Sequence, residues 1–193
     1  MNFLAHLYLA GDDEGLIIGN FIADSVKGSN YKTFPEEIKK GIVMHRAIDS
    51  FSDNNPVYLQ SVHRLQPKFG KFSGIITDMF YDYFLANNWE QFSSVGLEEF
   101  CKKMYRILLS NKHSLTEESA IILKYMMQSD WLYSYRTKEG IQMALKGMSK
   151  RMKYYFPMDD AVMELEKNPE LYNRDFLEFF PLILKHIEPY KIG

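Results

Sequence analysis

Histidines and aspartates interrupt apolar helical stretches at four places in the first half of the chain. The stretches are NFLAHLYLA around His6, LIIGNFIAD ending at Asp24, IVMHRAID with His45 and Asp49, and IITDMFYDYFL with Asp78 and Asp82. Residues three, four or seven apart share a helix face, so these polar groups lie beside apolar neighbours. Because burying an unpaired charge costs several kcal/mol, one shared cation would compensate all four helices. The sequence therefore predicts a metal site.

Each of these residues has a simpler interpretation when it is taken alone. A single His on an apolar face is usually a core residue bonded to a carbonyl, which fits His6, and capping fits Asp49. Capping does not fit Asp24, which lies near the predicted C-terminus of its helix, where negative charge is unfavourable. Asp78 and Asp82 lie one turn apart and repel each other unless they are protonated or bind a cation. A metal or acid/base site explains all four stretches together.

The types of ligand narrow the choice of metal. Imidazole and carboxylate groups without thiolate fit Mn²⁺, Fe²⁺ or Mg²⁺ better than structural zinc. Such an ion can lower the pKa of water and stabilise a phosphoryl group during in-line displacement. Lys27 and Arg46 lie close to these ligands in the sequence and can either neutralise a phosphate or be ordinary solvated residues.

Composition limits the class of protein. The 193 residues are 46% hydrophobic and 15% aromatic, which is enough for one globular domain over residues 1–193. The net charge of -2 predicts no general affinity for nucleic acid or anionic membranes. The single cysteine, Cys101, cannot form an intrachain disulfide, and the apolar start lacks a basic region and a cleavage site. We expect a cytoplasmic protein, and the sequence leaves its oligomeric state open.

Helical periodicity dominates the chain, so the elements that position these residues are expected to be helices. The predicted N-caps are Asn2, Asp12 or Asp13, Thr33 with Glu36, and Ser114 with Glu117. Further helices are predicted from Pro56 to Pro67, from Gly74 to Ala86, and near 95–110, 116–128, 138–153 and 172–187. Without a repeat or a long linker, the sequence predicts a single compact all-α domain.

The same stretches resemble the acyl carrier protein phosphodiesterase family over nearly the whole chain. The matching blocks are MNFLAHLYLA, GNFIADSVKG, FPEEIKKGIVMHRAID followed by SDNNP, ITDMFYDYFLANNW, DWLYSYR and GMSKRM. That family is regarded as a divergent branch of the HD-domain metal-dependent phosphohydrolases. The resemblance therefore implies an HD-domain-like helical fold.

The resemblance also assigns roles to individual residues. The implied metal ligands are His6, Asp24, His45 and Asp78. Lys27 stands where the superfamily has a lysine after its HD doublet, whereas Ala23 replaces the histidine of that doublet. Asp49, Asp82 or an additional water is therefore expected to complete the metal shell.

The reaction implied is removal of the 4′-phosphopantetheine arm from holo acyl carrier protein, with the carrier's serine oxygen as leaving group. Asp24, Asp49 and Asp82 would be catalytic, holding the metal, orienting its ligands or managing protons. Lys27 and Arg46 would neutralise the phosphate. Two alternatives remain: a phosphohydrolase of a nucleotide or another small phosphoester, and a non-catalytic helical binding protein with a structural metal.

A basic stretch in the second half is a candidate docking surface for the acidic carrier protein. Residues 136–155 carry six Lys or Arg residues and one Glu, a net charge of +5. The predicted docking residues are Lys146, Lys150, Arg151 and Lys153. An ordinary solvated helix face explains the same pattern, and Lys102, Lys103 and Arg106 form a weaker second candidate.

Overall fold

Residues 1–191, the part of the chain that the computed structural model describes, form eleven α-helices and contain no β-strand. The helices are α1 (Phe3–Ala10), α2 (Glu14–Ile22), α3 (Glu36–Asn54), α4 (Pro56–Phe69), α5 (Ser73–Asn87), α6 (Leu97–Ser110), α7 (Glu117–Gln128), α8 (Trp131–Ser134), α9 (Lys138–Lys150), α10 (Val162–Lys167) and α11 (Pro169–Lys191). The all-α prediction is confirmed. Within the same residues no helix combines the length and the apolar character needed to cross a membrane.

The first two helices begin at the predicted caps. The side chain of Asn2 accepts a hydrogen bond from the backbone N–H of Phe3 at 2.7 Å. Asp13 accepts one from the backbone N–H of Leu16 at 2.8 Å. These bonds satisfy donors that have no partner inside a helix, and they fix where α1 and α2 start.

The two predicted capping boxes are wrong. Thr33 lies in a 3₁₀ turn and donates to a carbonyl of that turn, while α3 begins directly after Pro35. Helix α7 is capped by Thr116, whose hydroxyl accepts from the N–H of Ser119, rather than by Ser114. A four-residue motif is too short to exclude a neighbouring start, so these two boundaries shifted by two residues.

Glycines allow the backbones of α2 and α3 to pack in direct contact. A Cβ atom added at Gly19 would lie 2.6 Å from the Cα of Gly41 and 2.7 Å from the backbone nitrogen of Ile42. Real Cβ contacts are essentially never shorter than 3.0 Å. Side chains of α3 can therefore reach the backbone of α2, which matters for the site described below.

Helix α11 closes the core against α3, α4 and α5. Its side chains Phe176, Phe179 and Phe180 are fully buried. Asp175 of the same helix is also buried, where it pairs with Arg64 and accepts a hydrogen bond from Ser61 of α4 at 3.0 Å. A buried carboxylate needs such partners, so this pairing fixes how α11 packs on α4.

Candidate metal centre

Four predicted site residues meet in one cluster. Helix α1 supplies His6, helix α3 supplies His45 and Asp49, and a 3₁₀ turn directly after α2 supplies Asp24. The imidazole rings of His6 and His45 are stacked, with their centroids 4.0 Å apart. Nε2 of His6 lies 3.2 Å from one oxygen of Asp49, and Nε2 of His45 lies 3.1 Å from the other. Nε2 of His45 also lies 3.2 Å from an oxygen of Asp24.

The donor atoms of this cluster fit a divalent cation. One ligand atom each of His6, His45 and Asp49 lie within 4.8 Å of one another. Nε2 of His6 is buried and makes no hydrogen bond, although it lies against the Asp49 carboxylate. An orphaned buried nitrogen is unfavourable, and an ion between it and the carboxylate would satisfy both.

Protonation of His45 partly balances the two carboxylates. Burial alone would lower the pKa of His45, but the hydrogen bonds of its Nε2 with Asp24 and Asp49 outweigh burial and raise this pKa to about 9. Burial and the neighbouring His45 charge lower the pKa of His6. Burial opposes ionisation of Asp49, yet its hydrogen bond with His45 and its close contact with the His6 imidazole hold its pKa well below its usual range. One imidazolium then faces two carboxylates, which leaves the cluster with a net negative charge.

Asn20 contacts both imidazoles from the side opposite Asp49. Its side-chain oxygen lies 3.3 Å from Nδ1 of His6, and its backbone oxygen lies 2.9 Å from Nδ1 of His45. The sequence assigned no role to this residue. The available signal was a single amide within the apolar run LIIGNFI, and nothing in that run indicates that the amide meets two histidines.

Asp78, a predicted metal ligand, is engaged by other partners. One of its oxygens accepts hydrogen bonds from the Met1 amine at 2.7 Å and from the Tyr58 hydroxyl at 2.6 Å. Among the described residues, the group with ligand spacing contains Asp49 in its place. Asp78 does line the cleft beside the cluster. Its charge is compensated by an amine and a hydroxyl, a solution that the sequence pattern does not predict.

The side chain of Asp82 in α5 caps the start of α1 instead of donating a proton within the cluster. It is fully buried, and its two oxygens accept from the backbone N–H groups of Asn2, Leu4 and Ala5 at 3.2, 2.9 and 3.2 Å. Burial raises the pKa of Asp82 to about 7. Because these N–H groups open α1, Asp82 holds the helix that carries His6.

The contacts of Arg46 do not support its predicted role in neutralising phosphate. Its guanidinium donates to the carbonyls of Val26 and Gly28 at 2.9 and 3.0 Å and lies over the ring of Tyr31. These bonds brace the segment that follows Asp24. Lys27 is exposed, and neither cation is among the described residues that line the cleft.

A cleft of about 980 Å³ opens onto the cluster. Asp24, His45 and Asp49 lie on one side of it. The apolar side chains that line it are Met1, Phe3, Ile75, Ile121, Ile122, Tyr125, Trp131, Tyr135, Met143, Ala144 and Met148, most of them from α7, α8 and α9. Its carboxylates are Asp24, Asp49, Asp53, Asp78 and Glu118, and within residues 1–191 Arg151 is its only Lys or Arg.

Comparison with known proteins identifies the family of this chain. The chain matches the family model described as acyl carrier protein phosphodiesterase over residues 1–183. It is similar to acyl carrier protein phosphodiesterases of Enterobacter sp. (29% identical; 95% of this chain and 96% of the relative), Klebsiella pneumoniae (30%; 97% and 98%) and Escherichia coli O6:H1 (30%; 96% and 96%). No solved structure matches the chain significantly, so the likeness to HD-domain enzymes stays a prediction. The family match and the full-length relatives show that this chain belongs to the acyl carrier protein phosphodiesterase family.

Proposed function

We propose that this protein is a metal-dependent phosphodiesterase that removes 4′-phosphopantetheine from holo acyl carrier protein. The names of its relatives specify a phosphodiesterase and the carrier protein. In the proposed reaction, water supplies the oxygen that joins phosphorus and the proton that the serine oxygen takes up as its bond to phosphorus breaks. The products are the apo carrier and free 4′-phosphopantetheine.

The observation that carries this proposal is the acidic cleft that opens onto the His–Asp cluster. Five carboxylates and one arginine line the cleft within the described residues. A phosphodiester is itself an anion, so carboxylates in a site of reduced dielectric would repel it. Since His6 also has an unpaired buried nitrogen, a divalent cation resolves both problems. We therefore favour a metal, with Mn²⁺ as the first choice for imidazole and carboxylate ligands.

Three residues would hold this ion directly, and a fourth would assist. His6, His45 and Asp49 provide the ligand atoms with suitable spacing. Asp24 is exposed, hydrogen-bonded to His45, and borders the cleft, so it can bind the ion or a water near it. When bound, the ion supplies positive charge for the phosphoryl oxygens and lowers the pKa of a water. Asp49, whose two oxygens reach both imidazoles, sets their relative orientation.

The opposite wall of the cleft suits a long, largely aliphatic arm. Met143 is 70% exposed and Tyr125 54% exposed, and exposed apolar side chains that are grouped together mark binding surfaces more often than single ones do. Both line the cleft, as does Ile121. The pantetheine portion would lie along this wall while its phosphate reaches the cluster.

The direct test is to incubate the purified protein with holo acyl carrier protein and Mn²⁺ and to measure the carrier mass. We expect loss of the phosphopantetheine mass, its abolition by EDTA and its restoration by Mn²⁺. Asp49→Asn removes a charged ligand and should reduce kcat/KM by at least about 100-fold, as expected for a residue that organises a metal. Isothermal titration of Mn²⁺ should show weakened binding in the same variant.

Glu36→Gln is the matched control, because Glu36 lies on the same helix but forms an exposed ion pair with Lys39. This variant should keep full activity. An unchanged carrier mass with Mn²⁺, Mg²⁺ and Fe²⁺ would reject the proposal, and hydrolysis of a nucleotide panel instead would identify a small-phosphoester enzyme. Mn²⁺ binding without any turnover would favour a non-catalytic binding protein.

A further inference from the structure

We infer that Asn20 is a positioning residue that keeps the proton of both imidazoles on Nδ1 and directs both Nε2 atoms toward Asp49. The inference deepens the proposed function, on which it rests for the assignment of the Nε2 atoms to a metal. It concerns a residue of α2 that is not itself among the described residues lining the cleft.

The side chain of Asn20 can only accept a hydrogen bond from His6. Its amide nitrogen donates to the carbonyl of Leu16, one turn earlier in α2, at 3.1 Å. The amide orientation is thereby fixed, and its oxygen is the atom that faces Nδ1 of His6. Because an amide oxygen has no proton to donate, the proton of this contact must reside on Nδ1 of His6.

The backbone of Asn20 imposes the same tautomer on His45. Its carbonyl oxygen lies 2.9 Å from Nδ1 of His45 and also can only accept. This carbonyl is available because α2 ends two residues later, at Ile22, and the last four carbonyls of a helix lack helical partners. The close packing of α2 on α3 at Gly19 brings the imidazole within reach.

One residue thus orders two stacked rings through two different atoms. With Nδ1 carrying the proton, the Nε2 lone pair of a neutral imidazole is the group available to a metal. The missing hydrogen bond of His6 Nε2, which lies 3.2 Å from Asp49, is consistent with a ring nitrogen that has no proton to donate. The arrangement prepares Nε2 of His6 as a ligand before any ion binds, and His45 becomes a ligand when an ion displaces the proton from its Nε2.

Long-range proton–nitrogen NMR of metal-free, ¹⁵N-labelled protein determines the tautomer of His6 directly. We expect the wild-type protein to carry the proton on Nδ1 of His6. Asn20→Leu keeps a similar volume but removes the acceptor, so the Nε2–H tautomer of His6 should appear. His45 should keep its Nδ1 proton because its partner is backbone. Calorimetric titration with Mn²⁺ should show affinity reduced by about 10- to 100-fold.

Asn55→Leu is the matched control. Asn55 is also buried, but its side-chain oxygen accepts from the backbone N–H of Val57 at the start of α4. This variant can lose stability, yet it should leave the His6 tautomer and the Mn²⁺ affinity unchanged.

A wild-type His6 with its proton on Nε2 would overturn the inference, and this measurement needs no variant to fold. An unchanged tautomer in Asn20→Leu would overturn it as well. Neither readout depends on turnover, so a lack of phosphodiesterase activity would contradict the proposed function alone.

Discussion

His45 is the residue through which the site responds to pH. When protonated it donates from Nδ1 to the Asn20 carbonyl and from Nε2 toward Asp24 and Asp49. Its side chain is 8% exposed, so water contributes little to stabilising the charge. The two carboxylates do so instead, and the protein in the absence of metal should gain stability from them.

The pH dependence of unfolding tests this coupling. The pKa of His45 rises from 6.5 to about 9 on folding, so its contribution is complete below pH 6.5 and is lost as pH increases through about 9. A shift of this size corresponds to about 3 kcal/mol in the free energy of unfolding. Urea unfolding in EDTA should show this loss for wild type relative to His45→Gln.

His63→Gln is the control for that series, since His63 is exposed on α4. Its unfolding should follow the wild-type pH dependence. Equal pH dependence in wild type and His45→Gln would show that the carboxylates do not stabilise an imidazolium.

At the scale of single residues, polar groups within apolar helical stretches indicated His6, His45, Asp24 and Asp49, and the structure brings these four side chains together. Their role as metal ligands stays a prediction. The same pattern could not predict the partners of Asp82, which are backbone N–H groups of another helix. Backbone N–H groups occur at almost every position whatever the residue type, so the residue pattern does not indicate which of them will bind a carboxylate. Asn20 was missed for the same reason, since half of its contact is made by its carbonyl.

The packing of α2 on α3 is the element-scale feature on which the site depends. The contact of the Asn20 carbonyl with His45 needs the two helices at their present distance, and Gly19 sets that distance. Periodicity predicted both helices, but it gives no distance between helix axes. The spacing of Gly19 and Gly41 in the sequence does not indicate that they meet, and only the packed structure shows that they face each other.

Gly19→Ala should therefore separate α2 from α3. The added methyl group would overlap the Gly41 backbone, and overpacking of this kind costs about 1–3 kcal/mol. Mn²⁺ affinity should fall in the same variant because His45 loses its carbonyl partner. Urea unfolding and calorimetric titration measure the two effects.

Gly74→Ala is the matched substitution in helix α5, where an added Cβ meets nothing within 4 Å. It should raise the free energy of unfolding by about 0.5–1 kcal/mol, the usual advantage of Ala over Gly in a helix. If Gly19→Ala behaved like Gly74→Ala, close helix packing would not control the site.

At the scale of the whole molecule, the cleft determines which surface a carrier protein can approach. Arg151 lines the cleft, and Lys150 is exposed directly before it. In contrast, Lys102 and Lys103 form ion pairs with Glu98 and Asp12. The basic stretch of residues 136–155 is therefore the better candidate for docking, and its role remains a prediction.

Charge reversal of Lys150 and Arg151 together should raise KM for holo carrier protein and weaken its dependence on ionic strength. The matched control reverses Lys102 and Lys103, which should leave both quantities unchanged. Steady-state kinetics over a salt series provides the measurement. If only the control pair altered KM, the docking surface would lie on α6.

The cleft also joins two parts of the chain with separate tasks. The proposed ligand atoms come from residues 1–49, whereas most of the apolar wall comes from residues 118–148. Substitutions in the wall can change which arm fits without altering any donor atom. During evolution, such a protein can therefore change its substrate specificity while the residues that perform the chemistry stay the same. Relatives with matching His and Asp positions can therefore differ in what they cleave, and their α7 and α9 sequences are where that difference should be sought.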